Sequence, residues 1–387
     1  MSENTIRKFE AEFANWIGVK RCWAFWKGRF AMYAFLRAMG IGEGDEVILP
    51  GYTCISAVIS IKYAGATCVY VDIEPATFNM DPEKIEGKIT PRTRLISAQH
   101  TYGYPAEMDA ILDIAGRHGI PVIEDACHAM GSFYKGKKVG TIVPTAYWST
   151  QWTKCFTTGF GGMATSNDDD LAAKIDRVIR EEAHRPSFKE GAMLTFLRGV
   201  HRAAAFPKTM GMGQGLYRWL VNKKLISINP PVKKKPEFEP EMFKRMGAGQ
   251  ARAGRRHVRR LDADCAHRRR LTRLYTDLLR ERGWDLPKIP DTMDPCLVRY
   301  PILVADKERA VSEARRRWLE VGNWFDRPLH QASAGMEMYD YIDGMCPVAE
   351  RVARQVVNLP THPRTSEKVA REVVDLICEI GPAVAAP

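Results

Sequence analysis

From residue 46 onward, short apolar runs alternate with amphipathic stretches. Glu46–Leu49, Thr67–Asp72, Leu95–Ala98 and Pro121–Asp125 read as buried strands. Ser56–Tyr63, Asp81–Ile89 and Glu107–His118 read as helices between them. Ala146–Ser149 and Gly162–Ser166 read as two more strands, followed by a helix over Asp168–Ala183. Near the start, residues 1–45 read as helices, with Phe9, Phe13 and Ile17 on one face. A second apolar stretch, Phe30 to Met39, stops at Gly40, a residue suited to a helix end. Strands alternating with helices predict an α/β fold with a mostly parallel sheet covered on both faces.

The rhythm breaks after residue 183. Residues 184–240 hold six prolines and two amphipathic basic pieces, Met193–Ala205 and Leu216–Leu225. Lys233-Lys234-Lys235-Pro236 reads as a linker. A long Arg-rich helix is expected over Met242–Arg282. Strands near 297–304 and 324–327, with helices near 307–321, 347–356 and 365–380, complete a smaller domain. The expected division is a large domain over 1–183, a basic insertion over 184–240 and a small C-terminal α/β domain over 241–387.

Composition narrows the class. The chain has 387 residues, 45% hydrophobic and 27% charged, as in ordinary globular proteins. No run approaches a membrane span, and the first residues do not resemble a secretory signal. Nine cysteines without CxxC pairs suit reduced thiols, so a cytoplasmic location is expected. The net charge of +11 is uneven: residues 185–280 carry +16 and the remainder carries −5. Nucleic acid is therefore not the expected partner. The basic middle reads as a solvated face, as a wall for an anionic substrate, or as a peripheral contact with anionic lipid. The Arg-rich helix is expected to meet acidic groups of this body or of a second subunit.

The chemistry concentrates in the first domain. Asp125 ends an apolar strand, where open α/β sheets bind ligands. Ser149 ends another, and Lys154 follows in Ser149-Thr150-Gln151-Trp152-Thr153-Lys154. Trp26-Lys27-Gly28-Arg29 precedes a helix whose first amides suit a phosphate. An acid, an amine and a phosphate cradle are what pyridoxal 5'-phosphate requires. Taken singly, a lysine is a surface residue and a strand-end aspartate a cap.

Longer segments carry a resemblance. They are Gly40 through Pro50, Val71-Asp72-Ile73 with Thr77 through Asp81, His100 through Asp109, Ile123 through Ala129, and Ser149 through Gly162. Cys346 through Glu350 and Asn358 through Pro363 extend it. Together they resemble the DegT/DnrJ/EryC1/StrS family of fold type I pyridoxal-phosphate aminotransferases, over roughly residues 8–182 and 243–380. The resemblance implies that Lys154 forms the Schiff base and Asp125 pairs with the pyridine nitrogen. It places the phosphate on Ser149, Gly28 and Arg29, with Gln151 lining the pocket. His128 would face the cofactor's phenolic oxygen, against the plain reading of a buried, satisfied histidine. No metal is called for.

Four departures stand out. Arg29 replaces a threonine, Cys54 replaces the aromatic that covers the ring, Phe160 replaces a glutamate, and Phe243 replaces an asparagine that reaches the neighbouring phosphate. Tyr52 or His100 is the expected substitute cover, and Arg245 the remaining cross-subunit contact. Relatives that dehydrate carry histidine in place of this lysine, so Lys154 favours amino transfer. The implied activity is ping-pong transfer from an amino acid, L-glutamate by expectation, to an anionic keto acceptor, a nucleotide-linked sugar. A homodimer is implied. The alternatives are an acceptor such as a cyclitol, and a non-catalytic binding or regulatory protein on the same fold.

Overall fold

The computed structural model describes residues 2–204, 237–332 and 335–383. The expected linker Lys233–Pro236 and the basic piece Leu216–Leu225 lie outside the described residues.

Helix α1 (Ser2–Ile17) leads to strand β1 (Arg21–Phe25) and helix α2 (Arg29–Met39). Then come β2 (Glu46–Pro50), β3 (Thr53–Cys54), α3 (Ile55–Ala64), β4 (Thr67–Val71) and β5 (Thr93–Gln99). Helix α4 (Met108–Arg117), β6 (Val122–Asp125) and the short hairpin β7 (Phe133–Tyr134) and β8 (Lys137–Lys138) follow. Strands β9 (Thr145–Ser149) and β10 (Gly162–Ser166), then α5 (Asp169–Glu182), close the first half. Helix α6 (Phe188–Ala204) opens the basic middle.

Seven strands form one sheet in the order β1-β10-β9-β6-β5-β2-β4. The run from β9 to β4 is parallel, whereas β10 is antiparallel to both its neighbours. This is the mostly parallel α/β sheet that the alternation of strands and helices predicts. Strands β2 and β9 are buried along their whole length, which explains the apolar Val47-Ile48-Leu49 and Ala146-Tyr147-Trp148 at their centres. Phe9, Phe13 and Ile17 are all buried, and Phe13 meets Trp148 of β9 edge-on at 5.4 Å.

Three local readings change. β1 is an edge strand with an exposed charged start, in a stretch read from the sequence as helical. Asp81–Ile89 forms two short 3₁₀ turns, Pro82–Lys84 and Glu86–Lys88, in place of a helix. Asp81 caps the first, and Gly87 interrupts the second. The Arg-rich segment is two helices, Ala248–Val258 and Leu261–Glu281, parted at Arg259-Arg260. The first packs on α1, where Arg255 forks onto Glu12 at 2.6–2.9 Å. The second packs on the C-terminal helix Glu367–Ile380. Its arginines meet acids of this chain: Arg269 with Asp294, Arg270 with Glu367, and Arg282 with Asp375.

In the C-terminal part, Arg299–Leu303 pairs antiparallel with Val356–Pro360. Residues 324–327 are not a strand; the pairing falls at Leu329–His330, which runs parallel to β3. That bridge ties the C-terminal part to the cleft, because His330 is in register with Cys54. Among the described residues no helix is long and apolar enough to cross a membrane.

Candidate active site

A cleft of about 630 Å³, including its mouth, opens at the carboxyl ends of β6 and β9 and the start of α2. Gly28, Arg29, Asp125, His128, Ser149, Gln151 and Lys154 all line it. The sequence separates them by up to 126 residues; the parallel sheet brings them to one edge.

Asp125 is the last residue of β6 and is 5% exposed. Its Oδ2 accepts the Tyr147 hydroxyl at 2.7 Å, and its Oδ1 accepts the Cys127 amide at 3.1 Å. The carboxylate is thus fixed in direction with room for one further donor. Burial, and then the Asp125 charge, push the Tyr147 phenol well above its ordinary value, so it stays a donor. Tyr147 was absent from the sequence-based set. The signal was there, because residues two apart on a strand share a face and Tyr147 stands two before Ser149.

Lys154 follows β9 on a tight turn, with its amide donated to the Gln151 carbonyl at 3.0 Å. It is 8% exposed, and its Nζ lies 2.6 Å from His128 Nε2. His128 Nδ1 accepts the Tyr102 amide at 3.3 Å. Burial first, then the charge of Lys154 and the proximity of His330, hold His128 well below the usual histidine range. Tyr102 adopts φ 56°, a left-handed conformation uncommon outside glycine. That strain aims its amide at His128. The Trp324 ring lies 4.7 Å from both Lys154 Nζ and the His128 ring. It comes from the C-terminal part, 170 residues after Lys154, and no local pattern announced it.

The opposite end of the cleft is built from glycine and cations. Gly28 caps α2 without a side chain, so the helix start faces Ser149. A Cβ at Gly28 would press on Ser149 Cβ and Oγ at 3.0 Å. A Cβ at Gly162 would overlap Gly28 Cα and the Trp148 carbonyl. The two strands and the helix therefore approach through a glycine pair that leaves backbone at the surface. The helix dipole and Arg29 favour an anion there. A carboxylate, an amine and an anion seat in one cleft match what pyridoxal phosphate asks of a protein.

Three predicted residues stand apart from this cleft. Tyr52 is fully buried, with its hydroxyl 2.9 Å from that of Tyr102 and its ring 4.9 Å from Phe325. His100 is also fully buried. Its Nδ1 accepts the Ala106 amide at 3.0 Å, which leaves Nε2 to donate to Glu124 at 3.2 Å. Glu124 also receives the amides of Gly140, Ile142 and Val143, so His100 belongs to a structural staple. Neither ring lines the cleft; Cys54 and Cys127 do. Arg245 pairs with Glu3 at 2.7 Å within its own chain. Phe243 is fully buried against Phe25, Phe30 and Tyr33, so the departure there fills the core.

The family profile of DegT/DnrJ/EryC1/StrS aminotransferases matches residues 1–196 and 231–378. The chain belongs to that family. Within it, the GDP-perosamine synthase of Caulobacter vibrioides is 49% identical over 182 residues, 47% of this chain and 49% of that protein. The aligned part thus spans about half the length of that relative. The pleiotropic regulatory protein of Geobacillus stearothermophilus is 30% identical over 378 residues, 97% of this chain and 88% of its own. Among solved structures, DesV of S. venezuelae, determined with a ketimine intermediate, superposes with a TM-score of 0.75 at 26% identity. That superposition covers 97% of this chain and 88% of DesV.

Proposed function

We propose that this family member is a pyridoxal-phosphate-dependent aminotransferase that passes an amino group from L-glutamate to a nucleotide-linked keto sugar by a ping-pong route. One observation carries the reading: Lys154 and Asp125 share a cleft with the glycine-lined start of α2. Bound there, the cofactor supplies a carbonyl for amine exchange and a ring that takes up electron density.

The chain's own groups divide the remaining work. Asp125, oriented by Tyr147 and the Cys127 amide, would hold a proton on the pyridine nitrogen. Ser149, Gly28 and Arg29 would seat the phosphate, and Gln151 would line the same pocket. The Lys154 amine would take a proton from the substrate carbon and return it. His128, with its Nε2 2.6 Å from that amine, would help to hold it in place. Trp324 shields the pair from water.

The GDP-perosamine synthase similarity supports a nucleotide-linked acceptor, and the regulatory name of the Geobacillus relative keeps the non-catalytic alternative in view. A homodimer is part of the proposal. Half-reaction spectroscopy separates the two readings. Cofactor-loaded protein mixed with L-glutamate should release one 2-oxoglutarate per site and lose its visible absorbance. No change with any amino donor would reject the enzyme reading. Keto sugar nucleotides should then restore the absorbance; recovery only with a cyclitol ketone would move the acceptor class.

A further inference from the structure

Lys27 has no part in the roles above. It lines the same wall of the cleft as Gly28, Arg29 and Ser149. Its Nζ lies 5.7 Å from the centroid of the Phe160 ring, a contact that favours a cation. Among the described residues, the charges acting on it come from three elements. Arg29 of α2 and Lys244, from the segment before Ala248, repel it; Glu190 of α6 attracts it. Glu190 is itself engaged, since its Oε1 accepts Lys244 Nζ at 2.6 Å. Lysine and arginine thus flank the glycine that opens α2, where the family resemblance expects an uncharged helix start.

We infer that Lys27 is a ligand for the cofactor's phosphate, closing that end of the cleft with a charge beyond what the helix start and Arg29 provide. The inference rests on the proposed cofactor. Burial, then repulsion by Arg29 and Lys244, brings the Lys27 amine down to about 7. A phosphate dianion beside it reverses that balance and favours the ammonium form. Cofactor loading therefore takes up a proton. At pH 8 the uptake comes to between roughly half and one proton per site. Phosphate monoesters are already dianionic there, and the pyridine nitrogen is common to pyridoxamine and its phosphate ester, so the uptake that reports on Lys27 is the excess of the ester over pyridoxamine.

The test uses pyridoxamine 5'-phosphate, which binds without a covalent bond to Lys154. Calorimetric titration in two buffers of unequal ionisation enthalpy gives affinity and proton uptake together. Pyridoxamine without phosphate is the control. Lys27→Met should weaken binding of the phosphate ester by about tenfold to a hundredfold, as for loss of a charge-assisted bond. It should leave pyridoxamine binding unchanged and remove the uptake. Lys27→Arg should keep most of the affinity with no uptake, because arginine stays charged. A Lys27→Met protein that binds the ester within twofold of wild type overturns the inference, as does a Lys27→Arg protein with undiminished proton uptake. Wild-type protein that binds no ester overturns the cofactor reading itself, and the inference with it.

Discussion

Arg268 is 3% exposed, and no ion pair holds it among the described residues. Carbonyl and hydroxyl oxygens carry its charge. Its Nη1 donates to the Val298 carbonyl and to Thr361 Oγ1, both at 2.9 Å, and its Nη2 donates to the Cys155 carbonyl at 3.0 Å. Cys155 adjoins Lys154, so this one guanidinium ties the lysine turn to the C-terminal part. Arg268→Met removes three bonds from a charged donor, each worth about 1.5–3 kcal/mol. Two offsets apply. The Val298 carbonyl keeps the Thr361 hydroxyl at 2.9 Å, and methionine avoids burying a charge. The net loss should be about 3–5 kcal/mol, with most of it from the abandoned Cys155 carbonyl and the lost fork. Arg268→Lys should fall between, since one ammonium cannot span acceptors on three segments. Urea unfolding of the cofactor-free protein reads the loss as a fall in midpoint at unchanged slope. Cofactor affinity should fall as well, because the lysine turn loses its anchor. An Arg268→Met protein within about 1 kcal/mol of wild type would refute the reasoning.

Acidification should destabilise the site through two histidines. Burial is the leading cause of the depression at both His128 and His330, and His330 is brought to about 4. Their folded values lie below the unfolded value near 6.5, so their stability contribution is complete above that pH and lost as pH falls below it. His330 should cost about 1 kcal/mol at pH 5.5, His128 should add a loss in the same direction, and His128→Gln should flatten the profile. A stability profile that is flat from pH 7 to 5.5 would contradict this. Gly162→Ala should drive β10 off the start of α2 and weaken cofactor binding by at least tenfold, measured by absorbance titration. Tyr147→Phe should leave Asp125 with one donor fewer and shift the visible spectrum of the loaded protein, with affinity changed by about threefold to tenfold. An unaltered spectrum would free Tyr147 of that role.

Much of the fold was legible because the parallel strands advertise themselves. β2, β5 and β6 are short apolar runs buried along almost their whole length. Edge strand β1 escaped, since it is only five residues long and its apolar positions look helical beside α2. The break at Arg259-Arg260 escaped for another reason. No proline or glycine marks Arg259-Arg260, and the separate seats of the two helices, α1 and Glu367–Ile380, turn the chain there. In the cleft, Lys154, Asp125 and Ser149 were readable from strand ends and spacing. Trp324 and Lys27 were not, because their part in the cleft is set by tertiary packing across distant segments. His100 misled for the same reason. A histidine beside a strand end looks like a ligand until Glu124 and the Ala106 amide claim both its nitrogens.

The central claim is that Lys154 carries the cofactor. Wild-type protein incubated with pyridoxal phosphate, reduced with borohydride and digested should yield one peptide bearing a phosphopyridoxyl group, attached at Lys154. Lys154→Ala should yield none. Labelling spread over surface lysines, or centred on Lys27 in place of Lys154, would contradict the account.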